Sequence, residues 1–237
     1  MRKVQLFLLH FAGGNSYSFQ FIAPYLSNFE LVPIELPGRG KRMAEPILHD
    51  FFAAADDVYK QIMAKLNGDK FLIYGHSMGA FLGMRVAAML EKAGKPLAYL
   101  FVSGNSGPGI VREEKDYLLP DKEFMDMLIK MGGLSKELLE NQELLDFFLP
   151  IIRSDFEVTG RIDPPAEEPI QAPIYAMMGT EEDEVEKIDN WKRFSATLCE
   201  TEVMPGDHFF IHKHAQKIAK IINDKYHAVA TAQYMNK

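Results

Sequence analysis

Gly75-His76-Ser77-Met78-Gly79 is the stretch that decides the fold of this chain. It follows a short apolar run at residues 71–74 and precedes a helix-forming segment that starts near Ala80. The sequence therefore predicts a buried strand, a tight turn that carries a serine, and a helix. Side chains in place of the two glycines would collide with the neighbouring strand and helix, which explains why glycine stands there. We expect the turn to lift the serine hydroxyl above the end of a sheet.

A serine flanked in this way, between a strand and a helix, is the nucleophile-elbow pattern of α/β-hydrolases. The N-terminus of the following helix offers backbone N–H groups and a positive potential to a developing oxyanion. The same residues could form a glycine-rich turn without any chemistry, but the strand–turn–helix context favours catalysis. Ser77 is therefore the candidate nucleophile.

The rest of the chain alternates short apolar runs with helical patterns, which is typical of an α/β fold with a mostly parallel, doubly wound sheet. Strand patterns are missing between residues 107 and 160, where several short amphipathic helices are predicted instead. A helical block inserted between strands is typical of a lid. We therefore predict an α/β-hydrolase core (residues 1–106 and 161–227), an all-helical lid insertion (residues 107–160) and a loose C-terminal tail (residues 228–237).

Local signals give further element boundaries. Apolar periodicity predicts helices at residues 19–26, 185–197 and 212–226. Proline lacks an N–H group and obstructs a helix interior, so Pro150 is expected to bend or end one of the lid helices. After residue 227 the sequence has no periodicity, which is the basis for predicting a loose tail.

Composition and charge exclude several classes of protein. The net charge of −7 argues against the basic footprint of proteins that bind nucleic acid or anionic membranes. The single cysteine, Cys199, excludes an internal disulfide framework, fits a reducing cytosol and is expected to lie half-buried in a strand. No stretch reaches the roughly 18 apolar residues of a membrane span. We expect a cytoplasmic monomer with no metal, no nucleic-acid partner and no membrane partner.

A serine hydroxyl becomes a good nucleophile when a base, itself oriented by a carboxylate, removes its proton. In α/β-hydrolases the order along the chain is serine, then acid, then histidine. Of the seven histidines, His208 follows a predicted strand at residues 200–204 and precedes the last helix, so it is the candidate base. The neighbouring Asp207 is expected to be a turn or cap residue, because adjacent side chains point apart.

Two carboxylates compete for the role of the acid. The predicted strand that ends at Met178 is followed by Gly179, and hydrolases of this kind commonly carry G-x-x-D-x-x-V at this point. Counted from Gly179, the acid position holds Glu182, and Val185 keeps the usual spacing, which supports Glu182. Asp183 supplies the shorter carboxylate that is usual in this role, but it requires a one-residue bulge. Both stay open, with a slight preference for Asp183.

The oxyanion hole requires two backbone N–H donors. The first is expected from Met78, the residue after the nucleophile. The second is expected from Phe11 or Ala12, in the turn that follows the first predicted strand. The glycines at 13 and 14 would let the backbone of this turn curl over the site.

With these motifs the chain resembles the type II thioesterases, the stand-alone editing hydrolases of nonribosomal peptide and polyketide synthesis. The resemblance extends from about residue 4 to residue 226 and includes lid segments as well as the elbow. The matching segments are Phe11-Ala12-Gly13-Gly14, Glu35-Leu36-Pro37-Gly38-Arg39-Gly40, Gly75-His76-Ser77-Met78-Gly79, Leu119-Pro120-Asp121, Met131-Gly132-Gly133-Leu134, Phe148-Leu149-Pro150-Ile151-Ile152-Arg153-Ser154-Asp155 and Gly206-Asp207-His208.

The resemblance implies a serine thioesterase that acts in trans on acyl or peptidyl carrier proteins. It would hydrolyse aberrant or stalled acyl groups from the phosphopantetheine arm, so the arm belongs to the substrate and the enzyme needs no cofactor of its own. The chain departs from the family at the acid, where Glu182 stands at the aspartate position. Met125 and Met131 in the predicted lid are weak candidates for substrate binding, because methionine adapts to varied shapes; packing of the lid is the alternative.

Three other interpretations compete with this one. A general carboxylesterase, or a hydrolase of short or medium acyl thioesters, would share the elbow and the triad. A binding module on an inactive hydrolase scaffold is disfavoured because Ser77 and His208 are both present. A domain of a larger synthase is a third possibility, and the methionine directly before the first strand favours a free-standing enzyme.

Overall fold

A sheet of six strands forms the centre of the molecule, in the order β2-β1-β3-β4-β5-β6, and every neighbouring pair is parallel. The computed structural model describes residues 2–110, 115–134, 136–160 and 168–235. The parallel pairing of all neighbouring strands confirms the predicted mostly parallel sheet. Its strands are β1 (Val4–Leu9), β2 (Phe29–Ile34), β3 (Phe71–His76), β4 (Tyr99–Ser103), β5 (Ile174–Gly179) and β6 (Cys199–Met204).

Helices cover both faces of the sheet, as the doubly wound pattern predicts. The α-helices of the described residues are α1 (Phe51–Lys65), α2 (Met78–Lys92), α3 (Asp121–Lys130), α4 (Lys136–Glu140), α5 (Gln142–Gly160), α6 (Phe210–Lys213) and α7 (Ala215–Met235). One core cluster joins α1 and α2 to the sheet through residues such as Ile62 and Met84. A second cluster joins α7 to the opposite face through Ile218 and Ile222.

β3 lies inside the sheet, and all its residues are buried. A strand that is buried on both faces reads as a continuous apolar run, which is why this strand was recognisable from the sequence. At its C-terminal end, His76 is in register with Ser103 of β4. The loops that follow β1, β3, β5 and β6 therefore meet at one edge of the sheet, where α/β proteins place their sites.

Between β4 and β5 the described residues form α3, α4, α5 and a 3-10 turn at Asp116–Leu118, with no strand among them. Phe124, Leu128 and Ile152 make a small apolar cluster of their own beneath these helices. The helical character predicted for this block is thus confirmed. Residues 111–114 and 161–167, next to both predicted junctions, lie outside the described residues, and the lid boundaries stay a prediction.

The helices predicted at residues 19–26 and 185–197 differ from the structure. In residues 19–26 the helical part shrinks to a 3-10 turn at Ala23–Tyr25, because Pro24 removes a hydrogen-bond donor. The helix predicted at residues 185–197 is a 3-10 helix over Val185–Phe194. The next residue, Ser195, is extended and pairs with Ile170. Pro150 does not end its helix, since α5 runs through it and remains held by buried residues such as Ile151 and Val158.

The predicted loose tail is wrong for most of its length. After α6, the chain enters α7, which continues to Met235 instead of ending at Tyr226; residues 236 and 237 lie outside the described part. Tyr226 and Val229 pack against the second core cluster, so apolar contact at i and i+3 carries the helix onward. No helix in the described ranges is long and apolar enough to cross a bilayer.

The two glycines of α2 allow a matched test of the packing beneath the elbow. A Cβ at Gly79 would lie 2.1 Å from the Leu9 carbonyl oxygen, whereas one at Gly83 would meet its nearest atom at 3.5 Å. We expect Gly79→Ala to lower the unfolding free energy by about 2 kcal/mol or more. Gly83→Ala should be neutral or gain up to about 1 kcal/mol from helix propensity. Urea unfolding of both variants measures this, and equal stability would contradict it.

Candidate active site

The turn at Ser77 has the backbone strain that the sequence predicts. Ser77 has φ +55° and ψ −117°, a conformation that side chains disfavour. Its N–H donates to the Ser103 carbonyl at 2.7 Å, and its carbonyl accepts from the Asn105 amide at 2.8 Å. A Cβ at Gly75 would lie 2.1 Å from the Gly79 carbonyl oxygen. The glycines thus let strand and helix touch, and β4 holds the serine in its strained position.

His208 and Glu182 form a close pair beside this turn. The imidazole Nδ1 lies 2.6 Å from Glu182 Oε2, and the two side chains are 12% and 5% exposed. The other carboxylate oxygen, Oε1, accepts from the Gly179 N–H at 2.7 Å. Both carboxylate oxygens are therefore engaged, which fixes the carboxylate at the imidazole.

The preference for Asp183 as the partner of His208 is not met by this geometry. Asp183 is exposed, whereas Glu182 reaches the imidazole without the bulge that Asp183 would have required. The Gly179 N–H anchors the carboxylate three residues later, so the spacing from this glycine decides which acid is presented. Val185 begins the following 3-10 helix at the expected distance. The spacing counted from Gly179 therefore predicts which carboxylate meets His208, whereas the usual residue type does not.

Hydrogen bonds between two loops bring the acid and the base together. The Gly206 N–H donates to Thr180 Oγ1 at 3.1 Å, and the Glu181 N–H donates to the Gly206 carbonyl at 3.0 Å. Asp207 accepts from the Phe209 N–H at 2.9 Å, which is the turn role predicted for it. These contacts join the loop after β5 to the loop after β6.

The base loop also packs against the elbow and against the turn after β1. The His208 ring lies 4.9 Å from the ring of His76, the residue that precedes the candidate nucleophile. Phe209 meets Phe11 edge to face, with ring centroids 4.9 Å apart. The structure therefore brings the predicted nucleophile, base and oxyanion turn to one place.

Backbone donors at this place are free to bind an oxyanion. Within the described ranges, no acceptor takes the N–H of Phe11, Ala12 or Met78. By contrast, the Gly13 N–H is bound to Asp155 and the Gly14 N–H to the Phe11 carbonyl. The predicted donors thus remain available, and the next two amides of the turn are used to hold its shape.

Two further histidines next to the site are kept neutral by burial. Burial lowers the pKa of His76 well below its ordinary value, and its Nδ1 lies 2.8 Å from Ser103 Oγ. Burial, assisted by the nearby Arg39 charge, lowers the pKa of His10 to about 4. Its Nδ1–H donates to the Phe11 carbonyl at 2.8 Å. Neither imidazole therefore adds a positive charge beside His208 near neutral pH.

A cavity of about 340 Å³ opens between the turn after β1 and the helices that follow β4. Its lining is mostly apolar: Phe11, Ala12, Gly13, Asn15, Gly133, Leu138, Leu144, Phe148 and Ile152. Met125 and Met131, the predicted substrate contacts, are not among these residues. The apolar face of α5 is used instead, and its i, i+4, i+8 spacing of Leu144, Phe148 and Ile152 was the signal that could have found it.

A buried ion pair that sequence reasoning missed connects α5 to the site. Arg39 Nη1 lies 2.5 Å from Asp155 Oδ2 and Nη2 lies 2.7 Å from Oδ1, with the two side chains 3% and 1% exposed. Asp155 Oδ2 also accepts from the Gly13 N–H at 2.7 Å. Both residues lie in motif segments quoted above, but nothing in their local sequence indicates that they meet.

The part of the chain that the structure describes contains no group of three or more histidine, cysteine, aspartate or glutamate residues placed to hold a metal ion. Cys199 begins β6 and is half-buried, as predicted, and burial raises the pKa of its thiol to about 11.

Comparison with known proteins agrees with this geometry. The family model described as Thioesterase domain matches residues 4–226. The gramicidin S biosynthesis protein GrsT of Aneurinibacillus migulanus is 32% identical, over 89% of this chain and 84% of that protein. The structure of ClbQ from the colibactin NRPS/PKS pathway has a TM-score of 0.91 at 26% identity, covering 97% of this chain and 99% of that chain.

A second solved structure is similar over almost the same length. YbtT, described as a type II thioesterase from the yersiniabactin NRPS/PKS biosynthetic pathway, has a TM-score of 0.86 at 28% identity and covers 96% of this chain and 94% of that chain. The α/β-hydrolase fold, the elbow and the family match all lead to one assignment. This chain belongs to the Thioesterase domain family and is a thioester hydrolase.

Proposed function

We propose that this chain is a type II editing thioesterase, which hydrolyses acyl groups from the phosphopantetheine arm of acyl or peptidyl carrier proteins. Acting in trans, it would clear aberrant or stalled acyl chains from polyketide or nonribosomal peptide synthases. The observation that carries the proposal is the Glu182–His208 pair beside the strained Ser77, with an apolar cavity on the same turn. The enzyme is proposed to be a cytoplasmic monomer whose partner is the carrier protein.

In this proposal Glu182 is the acid of the triad. Nδ1–H of His208 donates to Glu182, which leaves Nε2 as the base that takes the proton of the Ser77 hydroxyl. The serine oxygen attacks the thioester carbonyl, and the oxyanion is held by the N–H of Met78 and that of Phe11 or Ala12. The C–S bond then breaks, and His208 gives its proton to the departing pantetheine thiol.

The acyl-enzyme is hydrolysed by the same residues. Water replaces the thiol, His208 removes one of its protons, and attack on the ester carbonyl forms a second tetrahedral intermediate. Collapse of this intermediate returns the proton to Ser77 and releases the free acid. A neutral His76 packed against His208 adds no charge that would oppose the imidazolium formed in each step.

Substrate preference distinguishes this function from that of a general esterase. We expect kcat/KM on an acyl-phosphopantetheinyl carrier protein to exceed that on the p-nitrophenyl ester of the same acyl chain. Ser77→Ala should lower both rates by about 10⁴-fold or more and abolish labelling by a serine-directed phosphonate. A preference for the simple ester would favour a carboxylesterase, and a serine other than Ser77 carrying the label would refute the site.

The two neighbouring carboxylates provide a matched pair of variants. We expect Glu182→Gln to lower kcat by about 10²- to 10⁴-fold, because the amide no longer holds His208 in its working tautomer. Asp183→Asn changes an exposed side chain and should cost less than about tenfold. Steady-state hydrolysis of one thioester by both variants is the measurement. The opposite ranking would give the acid role to Asp183.

The cavity predicts a dependence on acyl-chain length. Leu144 lines the cavity, and Leu144→Trp would fill part of it. We expect this variant to lower kcat/KM for a long acyl chain at least about tenfold more than for an acetyl group. Leu139→Trp on the neighbouring helix is the control, since that leucine is 40% exposed and does not line the cavity. Kinetics over a series of acyl thioesters tests this. Equal effects of both variants at every length would place the acyl chain elsewhere.

A further inference from the structure

We propose that Asp155 is a positioning residue for the oxyanion hole, through which α5 sets the position of Ala12 and its free N–H. The proposal rests on the serine mechanism described above and adds a role for the buried Arg39–Asp155 pair. The carboxylate of Asp155 is bound by Arg39 and by the Gly13 N–H. It acts through the backbone of the turn after β1.

Asp155 holds one peptide unit of the turn after β1. The Gly13 N–H that donates to Asp155 Oδ2 at 2.7 Å belongs to the planar unit that also contains the Ala12 carbonyl. Fixing one end of this plane fixes the orientation of Ala12. Arg39 Nη1 holds the unit formed by Gly14 and Asn15, through the Gly14 carbonyl at 3.2 Å. The ion pair therefore holds two of the three peptide units that follow the predicted oxyanion donors.

A steric contact also joins α5 to the same turn. Gly13 has φ +74°, and a Cβ there would lie 2.6 Å from Ile152 Cγ1. Ile152 lies three residues before Asp155 on α5 and also lines the cavity. One helix thus meets the turn by packing and by a hydrogen bond. A displacement of α5 by the acyl chain or by the partner would be transmitted to Ala12.

A charged pair holds this turn more firmly than a neutral side chain would. A carboxylate that accepts from an N–H makes a stronger hydrogen bond than a neutral amide would. Burying that carboxylate is costly without a counter-charge, and Arg39 supplies one in a bidentate arrangement. The second carboxylate oxygen is thereby occupied as well. The arrangement allows Asp155 one orientation, which is what a residue that positions backbone requires.

Two double variants separate the contact with Gly13 from the ion pair. Arg39→Met with Asp155→Asn removes both charges and keeps an oxygen that can accept from Gly13. Arg39→Met with Asp155→Leu removes the charges and the acceptor at nearly the same side-chain volume. We expect kcat of the leucine variant to be about 10- to 100-fold below that of the asparagine variant, with KM within about threefold. The substrate is an acyl N-acetylcysteamine thioester, and rates are normalised to sites titrated with a phosphonate.

A transition-state analogue gives a readout that a structural role would not move. A trifluoromethyl ketone forms a hemiketal oxyanion on the serine, so its affinity should fall by the same factor as kcat. Asp57→Asn is the control, because it breaks another bidentate pair, with Arg42 at 2.7 and 2.8 Å, and that pair does not contact the turn. This control should lower the melting temperature and leave both kcat per site and the inhibitor affinity unchanged.

Several outcomes would overturn the positioning role. These are equal kcat values per titrated site for the two double variants, or a loss confined to KM or to the titratable fraction. If either double variant does not fold, Arg39→Lys replaces it: this variant keeps a positive charge but loses the bidentate contact with Asp155 and the contact with the Gly14 carbonyl, so kcat per site and the affinity of the trifluoromethyl ketone should fall together by about threefold or more. Values of kcat per site and inhibitor affinity equal to those of the wild type would refute the proposal. A wild type that hydrolyses the small thioester but no carrier thioester would instead refute the proposed function.

Discussion

The close approach of α2 to the ends of β1 and β3 is the constraint on which the rest of the site depends. Gly75 and Gly79 leave no space for a Cβ, so strand and helix meet backbone to backbone and the turn between them takes a conformation that is strained for a serine. Contacts with β4 hold Ser77 in this conformation. The consequence is that Ser77, the candidate nucleophile, is fixed above the sheet at the start of a helix, next to free backbone donors.

Around this fixed point the loops after β1, β5 and β6 are held by contacts with one another. The Gly179 N–H donates to the Glu182 carboxylate, and this carboxylate contacts the His208 imidazole. Phe209 packs edge to face against Phe11. Burial keeps the imidazoles of His10 and His76 neutral, so neither of them adds a positive charge beside His208. Because these groups are already ordered in the folded protein, the free-energy cost of ordering them arises during folding and not during the reaction.

The helices between β4 and β5 also contribute to the site. α5 contributes an apolar stripe to the cavity and a carboxylate to the turn that carries the oxyanion donors. The turn beside the nucleophile is therefore not set by the sheet alone. Arg39 and Asp155, 116 residues apart in the chain, are buried together, and this couples the cavity wall to the backbone that would bind the oxyanion.

The sequence by itself determined the parallel sheet, the elbow and His208, because strand periodicity and the steric demands of a glycine-flanked serine are local. Which carboxylate contacts His208 required the tertiary structure, since two adjacent carboxylates differ in which way the loop turns them, and the Gly179 N–H and the loop after β6 decide that. The extension of α7 past Tyr226 and the cavity lining also depend on packing partners that are distant in sequence. The Arg39–Asp155 pair is the clearest case, because charge pairing across the fold leaves no periodic signal in the chain.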